Sequence, residues 1–173
     1  MSSGEFSQLM NRFYDVATKV LVRTDAYIDK FVGDEVMAVY VPLFAGHNPA
    51  QQAMIAAAGL LQATGHSDAD GPWLPVGVGV YTGVAFFGTV PDADGGFSDF
   101  TALGDTVNVA ARLVGAAQPG EALISKTTCA ASGVDVACLE KRDLSVKGKS
   151  EPISVCVLNS LSPLDLSLPR SGS

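Results

Sequence analysis

The sequence predicts a mixed α/β (α+β) fold, and three observations carry that reading. Phe6, Leu9, Met10, Phe13, Tyr14, Ala17, Val20 and Leu21 recur at helical spacing, so residues 5–22 form an amphipathic helix. Two β-rich runs, 26–32 and 35–41, are separated only by Gly33-Asp34, which is hairpin chemistry. Residues 100–112 read as a short strand, a glycine turn, a cap and a second helix. A chain of 173 residues that is 47% hydrophobic and 17% charged can bury a core as one domain, here residues 1–158.

The elements follow in order. Phe6 to Leu21 needs nothing beyond core packing to explain its stripe. In the hairpin, Asp34 sits at the tip and Lys30 near the end of the incoming strand; a tip carboxylate is well placed to hold Mg²⁺ against a phosphate. Asn48 caps a third element, with Pro49 at its first position and Gln51 able to reach back; Met54, Ile55, Ala58 and Leu61 form its buried face and Gly65 ends it. Trp73 covers a core edge. Residues 74–81 and 84–90 read as strands, and Gly77, Gly79, Gly83 and Gly88 within them imply close approach by another chain segment or by a ligand. Residues 91–98 form a loop.

In the stretch that follows, Asp105 or Thr106 caps the helix, and Val107, Ala110, Ala111 and Val114 form its apolar stripe. Pro119-Gly120 is a turn. A strand at 122–125, a short helix at 126–131 and short strands at 138–140, 144–147 and 152–158 complete the domain, and residues 159–173 form a loosely attached tail.

Composition narrows the function. A net charge of −7 argues against nucleic acid or an anionic membrane surface as partner. An acidic chain still binds a polyphosphate where its cations cluster or a metal bridges the charges. Cys129, Cys138 and Cys156 show no paired spacing, which fits buried thiols in a reducing, cytoplasmic setting. Two histidines, His47 and His66, are too few for a His-rich metal site. No apolar run reaches the ~18 residues of a membrane span, and no signal peptide opens the chain.

Two residues of the second helix carry chemistry. Asn108 and Arg112 lie four apart and so share a face. A neutral amide stacked with a planar, permanent cation suits a phosphorylated ligand; taken alone, the pair reads sooner as a solvated polar pair on a surface helix. No Walker-type glycine loop is present.

The strings Asp29-Lys30-Phe31-Val32-Gly33-Asp34-Glu35-Val36-Met37-Ala38-Val39 and Phe100-Thr101-Ala102-Leu103-Gly104-Asp105-Thr106-Val107-Asn108-Val109-Ala110-Ala111-Arg112-Leu113 resemble the class III nucleotidyl cyclases, the adenylate/guanylate cyclase catalytic domain. Gly77-Val78-Gly79-Val80-Tyr81-Thr82-Gly83, Pro119-Gly120-Glu121 and Val146-Lys147-Gly148-Lys149 support the likeness, which runs in family order from about residue 6 to residue 158. It implies a ferredoxin-like, mainly antiparallel sheet with helices packed on it. It also implies catalysis at a head-to-tail homodimer interface, and attack of the ribose 3′-hydroxyl on the α-phosphate of a nucleoside triphosphate. The sequence leaves open an upstream sensory domain.

By position, Asp34 resembles one of two aspartates that hold two Mg²⁺ or Mn²⁺ ions. Asn108 resembles the residue that orients the ribose, and Arg112 the arginine that meets charge on the α-phosphoryl oxygens. Lys147 resembles the cation on the terminal phosphates, with Lys149 a weaker candidate, and Lys30 and Thr101 resemble the base-selecting pair. Lysine has donors only and adenine N1 is an acceptor, so Lys30 fits adenine. Thr101 can accept from the adenine 6-amino group, although a hydroxyl can also donate to guanine, so guanylate cyclase is the alternative. One departure stands out: the family's first strand, with its other metal aspartate, has no match, because the chain starts at the helix that follows. Asp15 reads as surface and does not replace it. The expectation is therefore weak activity of this chain, or a non-catalytic nucleotide-binding and dimerisation module. A diguanylate cyclase is disfavoured by the lack of a Gly-Gly-Asp/Glu-Glu-Phe string.

Overall fold

A computed structural model describes residues 2–46, 48–89, 100–145, 151–162 and 164. The chain opens with α1 (Ser3–Arg23). Its start is set by a capping box: Ser2 N–H donates to Glu5 Oε2 at 2.6 Å, and Glu5 N–H donates to Ser2 Oγ at 3.3 Å. Met10, Phe13, Ala17 and Leu21 are buried, whereas Phe6, at the near end of the same stripe, is 46% exposed. Asp15 lies on the outer face and pairs with Lys19 at 2.6 Å, as a surface residue should.

The hairpin follows as β1 (Tyr27–Val32) and β2 (Glu35–Val39), closed by Gly33 at φ +59°. After a single helical turn, α2 (Pro42–Ala45), comes α3 (Pro49–Ala63). Asn48 caps α3 by accepting from Gln51 N–H at 2.9 Å. Met54 and Leu61 are fully buried and the half-buried Ala58 packs on the same cluster, while Ala50, Ala53, Ala56 and Ala57 complete the inner face and Ile55 is only half-buried. Trp73 lies at the core edge beside α1, its indole N–H donating to Ala63 O at 3.0 Å and its ring under the Arg12 guanidinium at 3.9 Å.

The remaining elements are β3 (Val78–Val80), β4 (Phe86–Thr89), β5 (Phe100–Leu103), α4 (Asp105–Ala116), β6 (Glu121–Ser125), α5 (Lys126–Ser132), β7 (Glu140–Leu144) and β8 (Ile153–Asn159). The main sheet has the order β3-β6-β8-β7, with β3 parallel to β6 and the other pairs antiparallel. β1-β2 and β4-β5 are separate antiparallel ribbons. The result is a mixed α+β architecture with antiparallel pairing dominant. β6 is buried on both faces. Ala122 and Ile124 meet Met54, Ala57 and Leu61 of α3, while Leu123 meets Leu113 of α4 on the other side with Val155 and Val157. Successive side chains of a strand point to opposite faces, so Ala-Leu-Ile in β6 serves both helical layers.

Several expectations change. Where short strands are expected at 138–140 and 144–147, the described residues form one strand, β7, reading Glu-Lys-Arg-Asp-Leu, and positions 146 and 147 lie outside the described residues. Its charges conceal it from a hydrophobic pattern, but it is a sheet edge, where charge is at home. Arg142 there grips Glu121 through two bonds of 3.1 and 2.9 Å, and this holds the Glu121 carboxyl below the usual carboxylate range. Of the strands expected at 74–81 and 84–90, the described residues keep β3 and β4, and position 90 lies outside them. Cys129 and Cys156 are buried, and burial pushes the Cys129 thiol up to about 12, whereas Cys138 is exposed. The loop expected at 91–98 and His47 lie outside the described residues.

His66 locks a corner of the fold. Its Nε2 accepts from Val76 N–H at 3.1 Å, its carbonyl accepts from Ser160 Oγ at 2.8 Å, and burial holds its pKa below the ordinary 6.5. Protonation would turn that acceptor into a donor facing another donor. The unfolded chain takes up the proton more readily than the folded one. Stability is therefore complete above pH 6.5 and declines as pH falls through and below that value. Urea melts of wild type and His66→Gln between pH 7.5 and 5 check this: the wild-type midpoint is expected to drop, and the variant's to lack that component.

Candidate functional site

Asp29 and the candidate residue Lys30 are placed by an irregularity in the hairpin. Tyr27 pairs with Val39 and Ile28 with Ala38, but Lys30 pairs with Met37, so Asp29 is an extra residue in a β-bulge. In a regular strand Asp29 and Lys30 would point to opposite faces. The bulge brings both to Thr101 of β5. Lys30 Nζ donates to Thr101 Oγ1 at 3.0 Å, Thr101 Oγ1 donates to Asp29 Oδ2 at 2.9 Å, and Lys30 Nζ lies 3.2 Å from the same carboxylate oxygen. Thr101 is buried, the Asp29 side chain is fully buried, and Lys30 remains 42% exposed.

Aromatic packing fixes the two ribbons against each other. Tyr27 of β1 meets Phe87 of β4 and Phe100 of β5 edge-on, with ring centroids 5.1 and 5.7 Å apart, and its hydroxyl donates to Phe100 O at 3.2 Å. At the other end of the hairpin, Tyr14 of α1 donates to Gly33 O and packs on Phe31 at 4.7 Å. This fixes the tip that carries Asp34, whose side chain is exposed.

Asn108 and Arg112 stand on α4, four residues apart, the first exposed and the second half-buried. The expected side-chain cap is absent. Gly104 is the N-cap at φ +130°, and its carbonyl accepts from Val107 and Asn108 N–H at 3.2 and 3.3 Å. The Thr106 hydroxyl instead donates to Val84 O, tying α4 to the segment two residues ahead of β4. The inward stripe is Val109 and Leu113, both fully buried; Val107, Ala110 and Val114 are half-buried and Ala111 is exposed. A Cβ on Gly79 would meet Val114 N, Ala110 O and Leu113 Cβ at 2.7–2.9 Å, so the close approach foreseen at this glycine is α4 itself.

The structure thus joins Lys30 to Thr101 directly and sets Asn108 and Arg112 on one helix that starts two residues after β5. Among the described residues, no hydrogen-bond or ion-pair partner reaches the side chains of Asp34, Asn108 or Arg112. Lys147 and Lys149 lie outside the described residues. Asp29 is the residue the sequence reading missed. Its signal is a carboxylate in an otherwise apolar strand beside a lysine, but only the bulge makes the two neighbours.

Asp34 suits one divalent ion, since Mg²⁺ is often held by one or two carboxylates together with substrate phosphates. No group of three or more His, Cys, Asp or Glu that could enclose an ion by itself occurs among the described residues.

The pairing also gives a stability prediction. Lys30→Met would leave the buried Asp29 carboxylate with only the Thr101 hydroxyl. The expected cost is about 1–2 kcal/mol, discounted from that of a fully buried pair because Lys30 is partly exposed. Lys30→Met combined with Asp29→Asn should recover most of the loss in urea unfolding.

The sequence model described as the adenylate and guanylate cyclase catalytic domain matches residues 1–159. The chain belongs to this family. It is 30% identical over 176 residues to an adenylate cyclase of Anabaena cylindrica, covering 90% of this chain and 32% of that protein. It therefore spans about a third of that relative's length. Among solved structures it is similar to the guanylyl cyclase Cya2, with TM-score 0.81, 20% identity, and 96% and 88% of the two chains covered. It is likewise similar to the adenylyl cyclase CyaB from P. aeruginosa, with TM-score 0.71, 28% identity and coverage of 92% and 85%. The ferredoxin-like cyclase fold and the nucleotide cyclase family are thereby shown. No helix among the described residues is long and apolar enough to cross a membrane.

Proposed function

We propose that this domain is of the adenylate type, converting ATP to 3′,5′-cyclic AMP and pyrophosphate at a homodimer interface. The observation that supports it is the 3.0 Å contact between Lys30 and Thr101, which sets an obligate donor beside a hydroxyl on two different ribbons. Lys30 would meet adenine N1, and Thr101 the 6-amino group. Asn108 would orient the ribose so that its 3′-hydroxyl lies in line with the α-phosphorus. Arg112, a planar fork of donors, would meet the charge that builds on the α-phosphoryl oxygens as the new bond forms and pyrophosphate leaves. Lys147 would hold the terminal phosphates. Asp34, contributed across the two-fold axis, would hold Mg²⁺ or Mn²⁺ against the triphosphate. When bound, such an ion neutralises phosphate charge and favours ionisation of the 3′-hydroxyl. Positioning and electrostatics supply most of the acceleration in chemistry of this class.

Among the described residues no group of three or more His, Cys, Asp or Glu joins Asp34 to enclose an ion, which favours a second reading, a module that binds nucleotide without turning it over. Incubating the 173-residue chain with ATP or GTP and Mg²⁺ or Mn²⁺, and separating the products, tests both. Slow cyclic AMP formation exceeding cyclic GMP formation is the expected result. ATP binding with no product would favour the module, and a preference for GTP would reverse the base assignment.

A further inference from the structure

We infer that Asp29 is a positioning residue that sets base selection by making Thr101 an acceptor. The inference rests on the adenylate reading and deepens it. A threonine hydroxyl is ambivalent, able to accept from adenine or donate to guanine. The contacts around Thr101 remove the ambivalence. Lysine has only donors and a carboxylate only acceptors, so a hydroxyl 3.0 Å from Lys30 Nζ and 2.9 Å from Asp29 Oδ2 must accept from the first and donate to the second. Its one proton is then committed to Asp29. Of its two lone pairs, one receives Lys30 and one is left. Of the three Lys30 protons, one faces Thr101 and one faces Asp29 at 3.2 Å, which leaves one. What remains is one donor and one acceptor side by side. Adenine offers the complement, an acceptor at N1 and a donor at the 6-amino group. Guanine offers the reverse, a donor at N1 and an acceptor at O6.

Stability alone does not explain this carboxylate. The Asp29 side chain is fully buried, and among the described residues no donor reaches its Oδ1. A buried carboxylate with an unpaired oxygen weakens a fold. The bulge that turns Asp29 inward also interrupts the β1-β2 ladder. Both features have a use if the carboxylate serves to orient the hydroxyl.

The test is equilibrium dialysis of the full 173-residue chain against ATP and against GTP, each with Mg²⁺, for wild type, Asp29→Asn and the double variant Asp29→Asn with Thr101→Asp. The asparagine is isosteric, but its amide can donate to Thr101 and free the hydroxyl proton for guanine O6. The expected result is a wild-type preference for ATP that falls roughly tenfold in Asp29→Asn, through weaker ATP binding and stronger GTP binding. The preference should return in the double variant, whose carboxylate at position 101 can only accept. A ratio is read, so a loosened fold that weakens both nucleotides alike does not imitate the effect. Wild-type preference retained in Asp29→Asn would overturn the role of Asp29 and leave the adenylate reading standing, as would a lowered preference that the double variant fails to restore. A wild type that binds GTP as well as ATP, or neither, would overturn both.

Discussion

Replacing Arg112 with alanine is expected to lower kcat for cyclic AMP formation by about 10²–10³-fold while changing KM for ATP by less than about threefold. The argument is differential. The ground-state triphosphate already carries its charge, and the proposed partners of that charge are Asp34 with its metal ion and Lys147. Charge on the α-phosphoryl oxygens rises only as the 3′-oxygen attacks, so a guanidinium aimed there contributes mainly at the transition state. The structure suits that role. Arg112 is half-buried on α4, and no ion-pair partner among the described residues competes for it. Arg112→Lys keeps the charge but loses the fork, and is expected to recover only part of the rate. Steady-state kinetics with Mn²⁺ on all three proteins would check this. A rise in KM at constant kcat in Arg112→Ala would show that the guanidinium serves only to bind the triphosphate.

How far the sequence could be read depends on the kind of signal each element carries. The hairpin, α1 and α3 are legible because their patterns are local: a two-residue Gly33-Asp34 turn, an apolar stripe at helical spacing, and an Asn48-Pro49 start. β7 is not legible, because an edge strand gains its place by pairing with β8, and its charged residues carry no burial signal. The cap of α4 is misread for a related reason. Asp105 and Thr106 have capping chemistry, but the Thr106 hydroxyl is drawn to Val84 O, and Gly104 alone can adopt the backbone needed there. The stripe on α4 turns by about one residue for the same reason, since the helix is oriented by Val109 and Leu113 against the sheet.

Site residues follow the same division. Asn108 and Arg112 are four apart on a predicted helix, so their shared face is visible from spacing. The contact between Lys30 and Thr101 spans 71 residues, and no spacing rule reaches it. The resemblance to cyclases suggested the pair; the bulge at Asp29 is what makes the contact physically possible, and a bulge leaves no periodic trace in six residues of strand.

Gly79→Ala is the second large effect, and it joins the fold to the site. The added Cβ would lie 2.7 Å from Val114 N, 2.8 Å from Ala110 O and 2.9 Å from Leu113 Cβ. Two of these are backbone atoms of a helix and cannot swing aside, so α4 must move off β3. The expected cost is about 1–3 kcal/mol, the range for overpacking a well-filled interior. α4 also carries Asn108 and Arg112, and a shift of about 1 Å at a reacting centre can cost on the order of 10²-fold in rate. Gly79→Ala should therefore lower turnover even at temperatures where the protein remains folded. Gly115→Ala, in the last turn of the same helix, is the counterpart. No atom lies within 4 Å of its added Cβ, its φ is not positive, and alanine is the better helix former. It is expected to stabilise by about 0.5–1 kcal/mol and leave turnover unchanged. Urea unfolding and cyclase rates measured side by side would separate the two. If Gly79→Ala unfolds at the wild-type midpoint with wild-type rate, then α4 is not held against β3 at this distance, and the placement of the amide and guanidinium would need another cause.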